Sequence, residues 1–356
     1  MRNIYLQILE AQPVDSSLIL ATITRSAGST PQKPGNSVLF SPEGLVAGTI
    51  GGGVLEGKVH QIAKDALISK ASGMYHFNLD NDISHEEDAI CGGKVTVLVD
   101  AAPGDHHAVF EQVKQSLNSR IPGVLVTMVK TDKKNKIAIN RFWMTEKDKH
   151  SLPQQFIIKT EAEVKSLLLK GDPDSYSEIP FSLPGEGRPV MLFLEPLFPP
   201  SHLVIAGAGH IGKALAMLGR MLDFEVTVID DRAEYANSDN IPDADHIIVD
   251  EIGNVMQEMK KTPDTYIVIV TRGHKDDAKA LKPCFGSDVA YVGMIGSRNK
   301  IALMQKKFIQ NSWATKKQWN EIHAPVGLEI KSKTVGEIVV SIAAQLVLVR
   351  NNRNKK

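Results

Sequence analysis

Cysteine is scarce in this 356-residue chain: only Cys91 and Cys284 occur, far apart. Two separated thiols make neither a disulfide framework nor a metal-type cysteine spacing, and they suit a reducing cytoplasm. Net charge is missing as well, since 41 basic and 41 acidic residues cancel at pH 7. Apart from the short tail at residues 350–356 the basic residues are scattered, so the clustering that a nucleic-acid backbone demands is lacking. Long apolar runs are lacking too. Residues 338–349, the longest, are interrupted by Ser341 and Gln345 and fall short of the roughly 20 residues a membrane span needs. Residues 1–10 hold one arginine and no sustained apolar stretch, so no secretory signal is expected. His-Glu-x-x-His, a Ser-His-Asp order and paired carboxylates are all absent, so the sequence names no catalytic residue and leaves any metal ligand unknown.

What is present is ordinary globular material, 42% hydrophobic and 23% charged, in a chain long enough for two domains with separate cores. Pro196, Pro199 and Pro200 interrupt helix and strand alike, which places the junction between residues 1–197 and 198–356. After it, short apolar runs at 202–206, 225–229, 246–249, 266–270 and 289–293 alternate with helical patterns. Such runs suit strands buried on both faces, so a Rossmann-like, doubly wound parallel sheet is expected. A last helix is expected to start at Thr334, with Glu337 at capping-box spacing. The first part reads as a mixed α/β domain. Helices are expected at 2–10, 54–68 and 162–170, strands at 18–24, 37–40, 45–47, 94–100, 123–130, 137–143 and 189–194, and a turn-rich loop at 26–36.

Gly207-Ala208-Gly209-His210-Ile211-Gly212 follows one expected strand and opens a helix, the context in which G-x-G-x-x-G binds a pyrophosphate. Gly207 allows the tight turn, Gly209 the close approach of the ligand, and Gly212 the packing of helix on strand. About 20 residues on, Asp230 offers a carboxylate to a ribose hydroxyl, while Arg232 would admit a phosphate instead. The same shell can also pack without holding any dinucleotide. Arg272 and His274 follow the fourth run; Ser297 and Arg298 follow the fifth and enter a helix. All would meet at the carboxyl edge of an open α/β sheet and suit an anionic ligand, although a solvated loop or a helix cap explains each one singly.

In the first part Gly51, Gly52 and Gly53 run into an amphipathic helix and would turn several amides towards an anion. Glu56 reads either as a dipole-satisfied residue of the first turn or as a polar contact to a ligand. Cys91, beside Gly92 and Gly93, is either a stabilised thiolate able to hold sulfur or molybdenum, or a buried inert thiol.

Together, residues 28–35 (GSTPQKPG), 48–57 (GTIGGGVLEG), Cys91-Gly92-Gly93, 207–212 (GAGHIG), 271–274 (TRGH), 293–298 (GMIGSR) and Ser341-Ile342-Ala343-Ala344 resemble the xanthine dehydrogenase accessory family, XdhC/CoxI. Residues 100–196 match only loosely. The resemblance implies a chaperone of purine catabolism that binds molybdenum cofactor (molybdopterin), supports its sulfuration with a cysteine desulfurase, and passes it to an apo-xanthine dehydrogenase-type enzyme. Val54 and Gln32 stand where many relatives carry Cys and Arg, which leaves Cys91 as the thiol of the motifs. The rival reading is an NAD(P)-dependent oxidoreductase, which the glycine fingerprint and Asp230 favour and the lack of a proton donor disfavours. A structural component of the dehydrogenase is a third reading, disfavoured by the missing iron–sulfur cysteine patterns. A homodimer stays open.

Overall fold

Strand β1 (Ile19–Ala27) shows how the first unit is built, because its alternate residues enter two different cores. The computed structural model describes residues 3–11, 17–30, 32–79, 93–147, 152–182 and 188–353, and the chain divides into compact units at Arg2–Pro199 and Pro200–Lys356. Among the described residues, β1 joins β2 (Ser37–Ser41), β3 (Gly44–Gly48), β4 (Gly73–Asn78) and β5 (Lys94–Asp100) in an antiparallel sheet of order β3-β2-β1-β5-β4. A second antiparallel sheet, β7-β6-β9-β8, contains β6 (Gly123–Thr131), β7 (Ile137–Thr145), β8 (Ser177–Phe181) and β9 (Val190–Leu197).

Period-two patterning then decides the layers. Ile19, Ala21 and Ile23 pack with Val95, Val97 and Val99 under helix α2 (Gly53–Ser69). On the opposite face Leu20 and Leu39 meet Leu125 and Trp143 of the second sheet, together with α1 (Ile4–Glu10) and α3 (His107–Asn118). The far face of the second sheet, including Val124, Val126, Leu192 and Leu194, is covered by α4 (Gln154–Lys170). The unit is therefore layered helix, sheet, sheet, helix. The space between the sheets is partly polar: Tyr5, Thr22, Thr24, Thr127, Arg141, Tyr176 and Glu195 line a small cavity there. Tyr5 donates to Glu195 Oε2 at 2.5 Å, and Arg141 pairs with the buried Asp100.

The second unit has the parallel sheet that the sequence predicts. β10 (His202–Ala206), β11 (Glu225–Asp230), β12 (His246–Val249), β13 (Thr265–Ile269) and β14 (Tyr291–Met294) lie in the order β12-β11-β10-β13-β14. One face packs α5 (His210–Met221) and α10 (Val335–Arg353). The other packs α6 (Ile252–Glu258), α7 (His274–Leu281), α8 (Arg298–Gln310) and α9 (Lys316–Trp319). The expected capping box at the start of α10 is made, with Thr334 Oγ1 accepting from Glu337 N and Glu337 Oε2 from Thr334 N. No helix among the described residues is long and apolar enough to cross a membrane.

Candidate functional site

Strand register brings the glycine-bearing loops of the first unit to one end of its sheet. Ser37 pairs with Thr22, Gly48 with Val38, and Lys94 with Ala27, so β3 ends where β2 begins, and β1 runs on in the same direction to end where β5 begins. The loop after β1 and the approach to β5 touch: a Cβ on Gly28 would lie 3.1 Å from the Cα of Gly93. Of the Cys-Gly-Gly motif only Gly93 can be placed; Cys91 and Gly92, like Pro31 of the first loop, lie outside the described residues.

The glycine triplet turns part of its hydrogen-bonding capacity inward. Gly51 N–H donates to Thr49 Oγ1 at 3.1 Å and Gly52 N–H to Glu56 Oε2 at 3.3 Å, while Thr49 Oγ1 donates to the same carboxylate oxygen at 2.9 Å. Sequence reasoning assigns those amides to an external anion; in the structure the first turn of α2 supplies its own anion, Glu56, which ties down the turn before the helix. Gly52 has φ +66° and ψ −169°, a conformation that needs glycine, and no heavy atom lies within 4 Å of its missing Cβ, nor of that of Gly53.

In the second unit the glycine loop takes the form its spacing predicts. Gly207 adopts φ +122° and its missing Cβ faces the Val270 carbonyl, while a Cβ on Gly212 would collide with the Gly207 carbonyl. Gly209, between them, faces open space. That pattern closes the loop on the protein side and leaves it open on the ligand side. His210 begins α5 and is exposed.

Asp230 is not positioned as the sequence suggests. Its carboxylate accepts from Ala208 N at 2.7 Å, Arg232 N at 3.1 Å, Arg232 Nε at 2.8 Å and Arg232 Nη2 at 2.9 Å. Those four donors fill a carboxylate's acceptor sites, leaving none for a ribose hydroxyl in this arrangement. Burial by itself would raise the Asp230 carboxyl, but the donors outweigh it and hold the group below its ordinary value. Arg232 in turn lies 4.1 Å above the Tyr235 ring, so a fixed guanidinium occupies the corner where the sequence suggests a carboxylate.

The remaining strand ends separate into outward and inward groups. Arg272 and His274 are exposed. Ser297 caps α8 by accepting from Lys300 N at 3.3 Å, and the Arg298 side chain, 88% exposed, lies 3.5 Å from the exposed Glu329. Sequence reasoning misses Lys300 and Asp277, which face each other as an ion pair with the Asp277 side chain wholly buried. Thr271 Oγ1 donates to that carboxylate at 2.6 Å. The T-x5-D spacing from Thr271 to Asp277 is the available signal, since it carries the chain from a strand end into the first turn of the next helix. Ser341 also has a structural role: it donates to the Leu328 carbonyl at 2.6 Å, and Gln345 bonds both backbone groups of Gly327. No group of three His, Cys, Asp or Glu among the described residues is arranged to hold a metal ion.

Comparison with known proteins joins the two units under one family. The XdhC Rossmann domain matches residues 203–346, and the XdhC and CoxI family matches residues 15–78. Each unit thus carries a domain of XdhC type. A relative in Bacillus subtilis (strain 168), whose name makes it a probable xanthine dehydrogenase component, is 26% identical over 339 residues, 93% of each chain. Uncharacterized protein YqeB of Escherichia coli (strain K12) is 21% identical over 98% of this chain. That match covers 47% of YqeB, so the chain spans about half of that protein. A crystal structure from Bacillus halodurans, described as a xanthine dehydrogenase, superposes with a TM-score of 0.75 over 98% of this chain and 95% of its own, at 21% identity. That likeness bears on the fold, which the two chains share across their length.

Proposed function

We propose that this XdhC-type chain is a cytoplasmic accessory protein that binds molybdenum cofactor, supports its sulfuration together with a cysteine desulfurase, and delivers it to an apo-xanthine dehydrogenase-type molybdoenzyme. The observation that carries the reading is the family match in both units, and the dehydrogenase name borne by the Bacillus subtilis relative points to the client. The gathering of the motif loops at one sheet end supports it, because a cargo there would meet the loop after β1, the glycine triplet and the approach to β5 at once. With the Gly51 and Gly52 amides engaged by Thr49 and Glu56, the triplet offers a bare, open backbone at Gly52 and Gly53 for a flat ring to approach. The Cys91 thiol takes the sulfur-handling role. In the second unit the open face of Gly209 suits the phosphate of such a cargo, or the pyrophosphate where the cofactor is in a dinucleotide form.

The test is an anaerobic titration of the protein with freshly released molybdenum cofactor, repeated with excess NAD(P)H and followed by transfer to an apo-dehydrogenase. Tight binding and productive transfer are expected, with Cys91→Ala folding normally but losing retention or sulfuration. NAD(P)H binding without any cofactor binding would overturn the reading in favour of a reductase.

A further inference from the structure

The strand order places β10 at the centre, with β11 on one side and β13 on the other. A ligand lying over the glycine loop of such a sheet extends one half towards β11 and the other across the ends of β13 and β14. The first half has an evident receptor, Arg232 on Tyr235. The second half needs one from residues 270–300.

Of the other cations there, Arg272, Lys275 and Arg298 are exposed, Lys279 pairs with Glu251, and Lys282 lies over the Trp313 ring. Lys300 is different: its side chain is 29% exposed and its ammonium is clamped by Asp277, a carboxylate with no exposure at all. The clamp continues through Thr271 to the loop that packs against Gly207. Gly296 clears the path for the lysine stem, since a Cβ there would lie 3.2 Å from Lys300 Cδ and 2.9 Å from Ile301 Cδ1. A buried ion pair is a poor way to gain stability, because desolvation offsets the attraction. It is an effective way to fix a long, flexible cation in one place. Lysine has three donors; Lys300 faces Asp277 as an ion pair and donates weakly to the Ile295 carbonyl at 3.5 Å, so its donors are not used up.

We propose that Lys300, fixed by Asp277 and Thr271, is the anion-holding residue of the second half of the Rossmann cleft, and that the ligand there is a dinucleotide whose distal group is negatively charged. The proposal rests on the reading of this cleft as the place where the nucleotide part of the cargo lies. It excludes Arg298 from the same role, although the two residues are two positions apart on one helix.

The probes are NAD+ and its nicotinic acid analogue, which differ only by a carboxamide or a carboxylate at the distal ring. Isothermal titration of the full chain should show the carboxylate form binding at least tenfold tighter. Lys300→Gln alone would strand a buried Asp277 charge and destabilise the protein, so the working variant is Asp277→Asn with Lys300→Gln, a neutral pair of nearly the same shape, checked for folding by thermal melting. In that variant the ratio should fall to about one, while Arg298→Gln should keep it. A tenfold preference that survives the neutral pair removes Lys300 from the assignment. Equal binding of both probes by the wild-type chain overturns the anionic distal group and leaves the cleft reading standing. If neither dinucleotide binds, the cleft reading falls and the assignment with it.

Discussion

Glu195 offers a stability prediction that can be worked from its surroundings. It sits on β9 between the two sheets, where burial pushes its carboxyl up from 4.5 to about 7 against the lowering effects of the Tyr5 hydrogen bond and the Arg141 charge. An acid raised in the folded state binds its proton more tightly there than in the unfolded chain. Its contribution is therefore complete below about pH 4.5 and is lost progressively as pH rises from there through about 7. A shift of that size corresponds to about 3 kcal/mol, an upper figure because part of Glu195 still meets water. Glu195→Gln keeps an acceptor for Tyr5 and removes the titration. Hydrogen exchange at the β6 and β9 amides, which reports the first unit alone, should show the variant about 2–3 kcal/mol more stable than wild type at pH 8. At pH 5 the gap should shrink below about 1 kcal/mol. A gap of the same size at both pH values would refute the reasoning, since it would mean that Glu195 titrates alike in the folded and unfolded chain.

Gly52→Ala and Gly52→Val should lose similar stability, about 1–3 kcal/mol, because the penalty is in the backbone at φ +66° and no neighbour lies within 4 Å of the added carbon; a much larger loss for Val by urea unfolding would show that a neighbour excludes it. Thr334→Ala removes the hydroxyl that accepts from Glu337 N and should cost about 1 kcal/mol, read as a lower melting temperature for the second unit. Cys284 is buried and its thiol is pushed up to about 12 by desolvation, so iodoacetamide at pH 8 should leave it unmodified until urea unfolds the chain. Alkylation of Cys284 in the native protein would contradict that burial.

The second unit is more legible than the first because parallel strands declare themselves as short apolar runs, and the capping residues of α10 are local. In the first unit, β4 and β8 escape a reading by pattern: Met74, His76, Ser177 and Glu178 mix polar and apolar character, and these strands lie at the two sheet edges. Helix α3 does carry a signal that the sequence reading passes over, Phe110, Val113 and Leu117 at helical spacing. Strand β1 runs on to Ala27, where the sequence suggests a loop from residue 26, because Ala27 pairs with Lys94. Strand β9 passes through Pro196, where the sequence suggests a break; β8 pairs only as far as Leu194, so the proline breaks no ladder on that side. Helix α4 begins at Gln154, eight residues ahead of the expected start, where Phe156 already enters the core. At the site, the glycine fingerprint is readable because its spacing encodes its geometry. The roles of Glu56, Asp230 and Lys300 are not, since each depends on which partner the chain folds against it.

The contact between Gly28 and Gly93 ties two chain segments more than sixty residues apart at a point with no side chain on either. A Cβ on Gly93 would also press to 2.5 Å from the Ala27 carbonyl, so the pair works like a pin through two plates. The loop after β1 and the start of β5 pack backbone against backbone at this point. A side chain added at either glycine would therefore have to push the loop after β1 and the start of β5 apart.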